Sequence, residues 1–328
     1  MSRLGRARRR LGASEIELPP LGLGTAPLGG WPEAVYREDG TATVRRAWDG
    51  GLRMFDTAPY YGYGQAERFL GEVLRNVTRD EFILSTKVGR LLRPGSQTDP
   101  FFKGADPLSP VLDYSQDGVR RSLDESRERL GLERIDIALI HDPDDHHAEA
   151  LEGAYVALAE MRDHGSLGAI GVGMNWSEPL ARFAHEAEFD CFLLAGRYTL
   201  LEQNSIDDLL PAVTERGMSI IAGGVYNSGL LADPRPGANY NYATAPSELV
   251  ERALRIKSVC TSFDVPLRAA AIQFPLGHPS VACVLVGART PAEVEDNLRM
   301  FDVEVPGALW DALKNQQLLR SDAPVPVA

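Results

Sequence analysis

The feature that most constrains the fold of this chain is a regular alternation of short apolar runs with longer helical patterns. In the longer segments, such as Gln116–Leu130, apolar residues recur every three to four positions, which is typical of helices packed on a core. Repeated strand–helix units predict a parallel sheet that is buried on both faces. The eight runs that we interpret as strands are Leu21–Leu28, Leu52–Asp56, Phe82–Lys87, Ile135–His141, Ala169–Asn175, Cys191–Ala195, Met218–Gly223 and Val281–Gly287. Eight such units predict an α/β fold, a single (β/α)8 TIM barrel.

The chain of 328 residues is long enough for one such barrel with long loops over its C-terminal mouth. We predict the barrel over residues 21–310, after a flexible basic arm over 1–20 and before a C-terminal tail over 311–328. The arm begins with several arginines but continues with polar residues and prolines instead of the apolar core of an export signal. The polar segments 90–115 and 227–246 interrupt the alternation, and we expect them to form the loops over the mouth.

Charge and cysteine content restrict the partners and the compartment. The sequence has 34 Lys and Arg against 46 Asp and Glu, a formal net charge of −12, whereas a nucleic-acid binder needs a basic surface. No apolar run is long enough to span a bilayer, so we expect no membrane partner. Three cysteines lie far apart without paired spacing, which indicates reduced, buried thiols in a cytoplasmic protein. We therefore expect neither a nucleic acid nor a membrane as a partner, and the oligomeric state stays open.

Polar side chains end four successive predicted strands. The second strand ends in Asp56, the third in Lys87, the fourth in His141 and the fifth in Asn175. Because the C-terminal ends of barrel strands converge on one mouth, an acid, an amine, an imidazole and an amide are expected to meet there. A single buried Asp or His is more often structural, but four in register favour a reactive site.

The tyrosines of the segment PYYGYG follow shortly after Asp56. Since an opposite charge stabilises the ionised form of a phenol, the Lys87 ammonium is expected to lower a tyrosine pKa from about 10 toward neutral pH. A phenol of that kind can exchange a proton during a reaction. Alternatively, these rings only cap the barrel or contact a ligand ring, as we consider for Tyr60 and Tyr63.

Two further motifs are interpreted as structural. The segment HDPDDHH at 141–147 offers three imidazoles and three carboxylates. However, Asp142, Asp144 and Asp145 precede a predicted helix, where carboxylates satisfy free backbone N–H groups. Further ligands on distant strands are not evident, so we predict no metal site. The glycine-rich segment GLGTAPLGG lacks the acid that closes a dinucleotide-binding βαβ unit, which excludes a Rossmann fingerprint.

One set of motifs resembles the aldo-keto reductase superfamily. It consists of FDTAPYYGYGQAE at 55–67, STK at 85–87, the strand-end His141 and GVGMN at 171–175. The resemblance extends from about residue 21 to residue 301 and implies a (β/α)8 barrel, a nicotinamide cofactor and a catalytic tetrad. By motif match, the tetrad consists of Asp56, Tyr61, Lys87 and His141.

The same resemblance implies a set of cofactor-binding residues. Asn175 matches the amide that binds the nicotinamide carboxamide, and VGARTPAEVEDN at 286–297 resembles the cofactor-binding end of the family. Two positions depart from the family pattern, since Ala195 stands where a Gln is usual and Gly223 where an aromatic ring often stacks on the nicotinamide. The implied cofactor-binding residues are Asn175, Gly223, Gly287, Arg289, Glu293 and Asn297.

The segment AGGVYNSGLLA is similar to bacterial sugar dehydrogenases that act on L-fucose and D-threo-aldoses, and to relatives that act on pyridoxal. This resemblance implies a small-molecule substrate and an NAD(P)-dependent oxidoreductase that oxidises an aldose at C1 to the lactone. A pyridoxal 4-dehydrogenase or reductase is the alternative, and a non-enzymatic, cofactor-sensing subunit is a further one. The candidates for contacts with the apolar face of a sugar are Trp31, Trp176 and Tyr226.

The choice between NAD and NADP depends on the adenosine ribose, because a 2′-phosphate needs cationic partners. The resemblance implies that NADP-using relatives carry a Lys and an Arg where this chain has Gly287 and Glu293. The Glu293 carboxylate would repel a phosphate but accept a hydrogen bond from a hydroxyl, whereas Arg289 favours a phosphate. We therefore expect NAD as the cofactor, with NADP as the alternative.

Overall fold

The computed structural model describes residues 8–95 and 101–327 of the chain. At its centre lies a closed barrel of eight parallel strands, in which each strand pairs with the next one along the chain and the last pairs with the first. The strands are Leu21–Gly24 (β1), Met54–Asp56 (β2), Ile83–Val88 (β3), Ile137–His141 (β4), Ala169–Met174 (β5), Cys191–Ala195 (β6), Ser219–Gly223 (β7) and Val281–Gly287 (β8). The predicted (β/α)8 barrel of the α/β class is therefore confirmed.

Helices cover the outside of the barrel and lead from the end of one strand back to the start of the next. The helix that follows β4 begins irregularly, with a π-helical turn over Ala150–Tyr155. Within the described ranges, no helix has both the length and the apolar character needed to cross a membrane. The helices are Arg37–Asp49, Gln65–Leu74, Gln116–Leu130, His147–Glu149, Val156–Asp163, Ser177–Glu186, Leu209–Glu215, Ser247–Ser262, Leu267–Gln273, Pro291–Asp302 and Gly307–Asn315.

Apolar side chains form two layers, one on each side of the barrel wall. The outer layer lies between strands and helices and contains Phe55, Phe192 and Trp310. The inner layer fills the barrel with side chains such as Leu139 and Ile221. Successive residues of a strand point to opposite faces, so each strand contributes to both layers. The strand ends are thus held by packing from both sides.

The described part of the predicted basic arm, residues 8–20, packs against the barrel, so the expectation of a flexible arm is wrong for these residues. Arg9–Arg10 and Glu17–Leu18 form a two-stranded hairpin. Leu11 and Leu18 are fully buried and belong to the inner apolar layer. Two isolated leucines carry this packing, which explains why no apolar run marked the segment.

The first arginine of this hairpin has a structural role. The Arg9 guanidinium donates hydrogen bonds to the backbone carbonyl groups of Leu276, His278 and Val281. Part of the basic character of the N-terminus thus serves to bind backbone at the start of β8. The remainder of the predicted arm, residues 1–7, lies outside the described residues.

The C-terminal segment also differs from the prediction, which ended the barrel at residue 310 and began a tail at 311. The last helix, Gly307–Asn315, runs through this boundary, and Trp310 is fully buried near its middle. Beyond the helix, Leu318 and Leu319 are buried as well. The segment is therefore packed against the body of the protein.

Each of the two segments that the sequence predicted as long loops over the mouth contains a short hairpin. Arg90–Pro94 pairs with Leu108–Leu112, and Asn239–Tyr240 pairs with Ala243–Thr244. Both segments contribute side chains to the cavity at the C-terminal end of the barrel. Residues 96–100 of the first predicted loop lie outside the described residues.

The three cysteines are free and buried, as the sequence predicted. Burial raises the pKa of the Cys191 and Cys283 thiols, so both favour the protonated and unreactive form. This environment is typical of structural cysteines. The cytoplasmic location inferred from them stays a prediction.

The buried carboxylate of Glu67 is expected to contribute strongly to stability. It accepts hydrogen bonds from Arg129 Nε at 2.6 Å and from the Thr86 hydroxyl at 2.9 Å. The substitution Glu67→Ala removes the main counter-charge of a largely buried guanidinium, which should lower the free energy of unfolding by about 3–5 kcal/mol. Urea denaturation measures this difference.

Glu72 on the same helix provides the matched control. It pairs with the exposed side chain of Arg37 at 2.7 Å, and exposed ion pairs contribute about 0–1 kcal/mol. Equal losses for Glu67→Ala and Glu72→Ala would contradict the role of burial.

Candidate active site

Four polar side chains meet at the C-terminal mouth of the barrel. Asp56 ends β2, Lys87 lies next to the end of β3, His141 ends β4 and Asn175 directly follows β5. Together with Tyr61 they line a cavity of about 460 Å³. A cavity of this size accommodates a small organic molecule.

A buried ion pair joins β2 to β3. Lys87 Nζ donates to both carboxylate oxygens of Asp56, at 2.9 and 2.7 Å, and to the carbonyl oxygen of Thr57 at 2.9 Å. These contacts use all three donors of the ammonium group, and the two side chains are only 1% and 4% exposed. Burial raises the pKa of Asp56, while the charge of Lys87 acts in the opposite sense. The two residues therefore form one compact unit with no net charge.

The ring of Tyr61 lies against this ion pair, but its pKa moves in the direction opposite to the prediction. Lys87 Nζ lies 4.9 Å from the ring centroid. Burial, and then the negative charge of Asp56, raise the pKa of the phenol well above 10. The predicted lowering is wrong because the phenol is buried, and because the charge of Asp56 offsets that of the ammonium group that was expected to stabilise a phenolate. At neutral pH, Tyr61 is a protonated phenol that can donate its proton.

The imidazole of His141 lies edge-on to Tyr61, with 5.7 Å between the ring centroids. Burial and the charges of Arg90 and Lys87 hold the pKa of His141 well below 6.5, so the ring is neutral. Its Nδ1 is buried without a hydrogen-bond partner among the described residues. Nε2 lies on the side of the Asp142 carboxylate, 3.6 Å from Oδ2. A neutral imidazole protonated at Nε2 can donate a hydrogen bond to an oxygen atom in the cavity.

The wall formed by β6, β7 and β8 consists of small residues. Ala195, Gly223 and Gly287 end these strands and line the cavity, in agreement with the departures from the family pattern. On the same side, the side-chain oxygen of Asn227 is buried without a hydrogen-bond partner in the described ranges, and Asn175 adds a second amide to the cavity. An open wall flanked by two amide side chains, one of them with an oxygen unpaired within the described residues, fits a nicotinamide ring, which is flat and carries a carboxamide.

The other predicted cofactor-binding residues lie on the segment that follows β8. The Glu293 carboxylate accepts a hydrogen bond from the backbone N–H of Arg289 at 2.7 Å and lies 3.4 Å from the Arg289 guanidinium. Asn297 Nδ2 donates to the carbonyl oxygen of Gly287 at 3.1 Å. Of these residues, only Gly287 lines the cavity. Arg289, Glu293 and Asn297 therefore lie outside the cavity, and the hydrogen bond between Asn297 and Gly287 links this segment to the cavity wall.

Of the three aromatic residues predicted to contact the substrate, one lies at the cavity. Trp31 lines it and stacks on Phe101, with 5.9 Å between the ring centroids. Trp176 lines a second pocket, where the Arg197 guanidinium lies 4.6 Å from its ring. Tyr226 donates a hydrogen bond from its hydroxyl to the outer helix that follows β8. We do not retain Trp176 and Tyr226 as substrate contacts, because proximity to a strand end does not determine where a loop side chain points.

The site also contains residues that the sequence analysis did not assign to it. Asp142 was interpreted as part of a helix N-terminus, but the helix begins only at His147. Its carboxylate instead accepts a hydrogen bond from Arg90 at 3.1 Å. The position of Asp142 directly after the strand-end His141 could have predicted its place at the mouth. No comparable pattern in the sequence marks the cavity-lining residues that lie on loops. The additional cavity-lining residues include Arg90, Phe101, Phe102, Asp142, Asn227 and Tyr242. Tyr60, which the sequence analysis considered for a contact with a ligand ring, lines the cavity as well.

The other two histidines of the motif HDPDDHH each contact a different carboxylate. His146 contacts Glu149, and His147 Nε2 lies 2.7 Å from a carboxylate oxygen of Glu186. In the part of the chain that the structure describes, no group of three His, Cys, Asp or Glu side chains is arranged to hold a metal ion. The motif therefore gives no metal centre within these residues.

Comparisons with known proteins agree with this geometry. The model of the aldo/keto reductase family matches residues 20–315. A D-threo-aldose 1-dehydrogenase from a Pseudomonas species is 43% identical over 94% of this chain and 96% of its own length. A pyridoxal 4-dehydrogenase from Microbacterium luteolum is 41% identical over 95% of this chain and 98% of its own. The solved structure of an aldo-keto reductase from Bacillus halodurans matches with a TM-score of 0.77 at 23% identity over 97% of both chains, which supports the fold.

Proposed function

The chain belongs to the aldo/keto reductase family, and on this premise we propose that it oxidises an aldose of the L-fucose or D-threo class at C1 to the lactone. As a member of this family it is an oxidoreductase of alcohol and aldehyde groups that uses a nicotinamide cofactor. The observation that carries the proposal is the presence of Tyr61, His141 and the Asp56 and Lys87 ion pair in one cavity. The similarity to the aldose dehydrogenase along nearly the whole chain supports the substrate class.

A nicotinamide cofactor supplies the hydride chemistry when it is bound. In this proposal, Asn175 binds the carboxamide, and the absence of side chains at Gly223 and Gly287 leaves room for the ring. Arg289, Glu293 and Asn297, on the segment after β8, bind the adenosine end. These are the residues of this chain that fit such a group.

Tyr61 and His141 act on the reacting oxygen of the substrate. The protonated phenol of Tyr61 donates its proton to a carbonyl oxygen in the reductive direction, and in the oxidative direction it must first lose that proton. The neutral His141 donates a hydrogen bond from Nε2 to the same oxygen and orients it. The ion pair of Asp56 and Lys87 fixes the position of the Tyr61 ring.

The substitution Tyr61→Phe is expected to lower kcat with an aldose by about 10²–10⁴, because it removes the proton donor and acceptor but keeps the ring. Cofactor affinity, measured by fluorescence titration, should stay unchanged. Tyr63→Phe is the matched control, since Tyr63 belongs to the same loop and packs on Phe102. Retention of full turnover by Tyr61→Phe would exclude the assigned role.

The rate of aldose oxidation is expected to rise with pH above neutrality. Only the deprotonated form of Tyr61 can accept the sugar proton, and burial and Asp56 raise its pKa well above 10. The oxidative rate should therefore increase by up to about tenfold per pH unit, whereas the reductive rate should not rise. Steady-state rates in both directions between neutral and alkaline pH test this, and a flat oxidative profile would contradict it.

NAD is the proposed preferred cofactor. The Arg289 guanidinium lies 3.4 Å from Glu293 and 3.7 Å from Glu33. Since two carboxylates already surround this cation, it is poorly placed to attract a 2′-phosphate. The same Glu293 carboxylate is an acceptor for a ribose hydroxyl.

The substitution Glu293→Gln is expected to raise kcat/KM with NADP relative to NAD by a few-fold, because it removes one negative charge at an exposed site. Glu295→Gln on the same helix is the control, since Glu295 pairs with Arg46 at 2.8 Å. A clear preference of the unmodified protein for NADP would show that Arg289 outweighs Glu293.

Pyridoxal is the second candidate substrate, because the pyridoxal 4-dehydrogenase is almost as similar to this chain as the aldose dehydrogenase. A screen of aldoses and pyridoxal, with formation of the reduced cofactor as the readout, separates the two. Turnover of pyridoxal without turnover of any aldose would replace the proposal. Turnover of neither would overturn both candidate substrates.

A further inference from the structure

A polar pair in the cavity wall has no part in the mechanism proposed above. Arg90 donates a hydrogen bond to Asp142 Oδ2 at 3.1 Å, and its guanidinium lies 4.6 Å from the ring centroid of Tyr60. All three residues line the cavity. The same oxygen of Asp142 lies 3.6 Å from Nε2 of His141. The pair therefore stands directly beside the group that binds the reacting oxygen.

The backbone holds the Asp142 carboxylate in this place. Asp142 has a φ of 42°, in the left-handed region that only Asn, Asp and Gly adopt readily. Its backbone N–H donates to the carbonyl oxygen of Gly173 at 3.0 Å. The Tyr114 hydroxyl lies within hydrogen-bond distance of the carbonyl oxygens of both His141 and Asp142. Strained backbone that is fixed from two sides is often found where a side chain must face a ligand.

Asp142 keeps free capacity for accepting hydrogen bonds. Arg90 occupies Oδ2, and Oδ1 accepts no hydrogen bond from the described residues. The side chain is 31% exposed, which for a cavity-lining residue leaves it accessible to a bound molecule. Burial raises the pKa of Asp142 to about 6, while Arg90 acts in the opposite sense. At pH 7 the group is therefore a carboxylate that can accept a hydrogen bond from a hydroxyl.

We propose that Asp142, oriented by Arg90, is a specificity-determining residue that binds the hydroxyl group on the carbon next to the reacting carbon. A separation of 3.6 Å is too long for a hydrogen bond between His141 Nε2 and Asp142 Oδ2, but it sets two polar groups side by side. Two oxygen atoms on adjacent carbons of one substrate can therefore be bound together, the reacting oxygen by His141 and the neighbouring hydroxyl by Asp142. The preferred substrates are thus 2-hydroxy aldehydes and the sugars that contain this unit.

The inference deepens the proposed function, on which it rests for the position of the reacting oxygen at His141. It also separates the two candidate substrates. An aldose presents a neutral hydroxyl next to C1, which a carboxylate binds well. The aromatic carbon next to the aldehyde of pyridoxal carries no hydroxyl, and the phenolic oxygen lies one carbon further away, so pyridoxal offers the Asp142 carboxylate no matching hydrogen-bond donor.

Two small aldehydes test the inference independently of any sugar. The reduction of 2-hydroxypropanal and of propanal, which differ by one hydroxyl, is compared as kcat/KM with the reduced nicotinamide cofactor. A hydrogen bond to a charged group should favour the hydroxylated aldehyde by about tenfold to a hundredfold. Equal values for the two aldehydes, or no turnover of 2-hydroxypropanal, would overturn the inference.

The substitution Asp142→Gly tests whether the carboxylate causes the preference for the hydroxylated aldehyde. Glycine accepts the positive φ and removes the side chain, so the ratio of the two kcat/KM values should fall toward one. Asp142→Asn, which also tolerates the backbone conformation, provides a second variant that removes only the charge and should lower the ratio partly. Asp144→Gly is the control, because Asp144 is an exposed carboxylate two residues away. A ratio that stays unchanged in the Asp142 variants would overturn the assignment.

The outcomes distinguish this inference from the proposed function. If aldoses are not oxidised but the preference for 2-hydroxypropanal depends on Asp142, the aldose assignment fails and the inference stands. If aldoses are oxidised but the two aldehydes are reduced equally, the proposed function stands and the inference fails. Circular dichroism and the Tm of each variant confirm that the compared proteins are folded.

Discussion

The buried ion pair between Asp56 and Lys87 is the interaction on which the rest of the site depends. An isolated ammonium or carboxylate at this depth would be neutralised, because the desolvation of a single charge costs several kcal/mol. Together the two charges are tolerated, and the barrel holds them at 2.7 Å between neighbouring strands. Their neighbours respond to both charges, since Asp56 contributes to the raised pKa of Tyr61 and Lys87 to the lowered pKa of His141. Burial is the larger cause of both shifts, and the combined effects leave a phenol that keeps its proton and an imidazole without charge.

The cavity is lined partly by the ends of barrel strands and partly by connecting segments. The polar residues Asp56, Lys87 and His141 lie at or next to the ends of barrel strands, which two apolar layers hold in place. The residues that surround the remainder of a ligand, such as Trp31, Phe101 and Tyr242, come from connecting segments and contact one another through ring edges and faces. Asp142 lies between these two groups, one residue beyond a strand end. Because it directly follows a strand, the Asp142 side chain is positioned almost as firmly as the strand-end residues, which is what the proposed discrimination between substrates requires.

The sequence predicts the barrel and the polar residues that meet at its mouth because both follow from local patterns. Asp56, Lys87 and His141 end apolar runs, and parallel strands must bring their ends together. The predictions that proved wrong concern properties that depend on residues distant in the sequence. The pKa of Tyr61 depends on a carboxylate that cancels the nearby ammonium group, and the orientation of Tyr226 depends on the path of a loop. The N-terminal hairpin has strands of two residues each, which is too short for any periodicity to be visible.

The closure of the barrel joins the two ends of the chain. β1 pairs with β8, and Arg9 of the hairpin binds carbonyl groups that are 267 to 272 residues away in the sequence. During synthesis on the ribosome, these partners emerge late, so neither the closed barrel nor the contacts of Arg9 can form until most of the chain has been made. Contacts of such long range also slow folding after release. Until then the nascent half-barrel presents an open strand edge and an apolar interior, which is the state in which chains of this architecture are most exposed to aggregation.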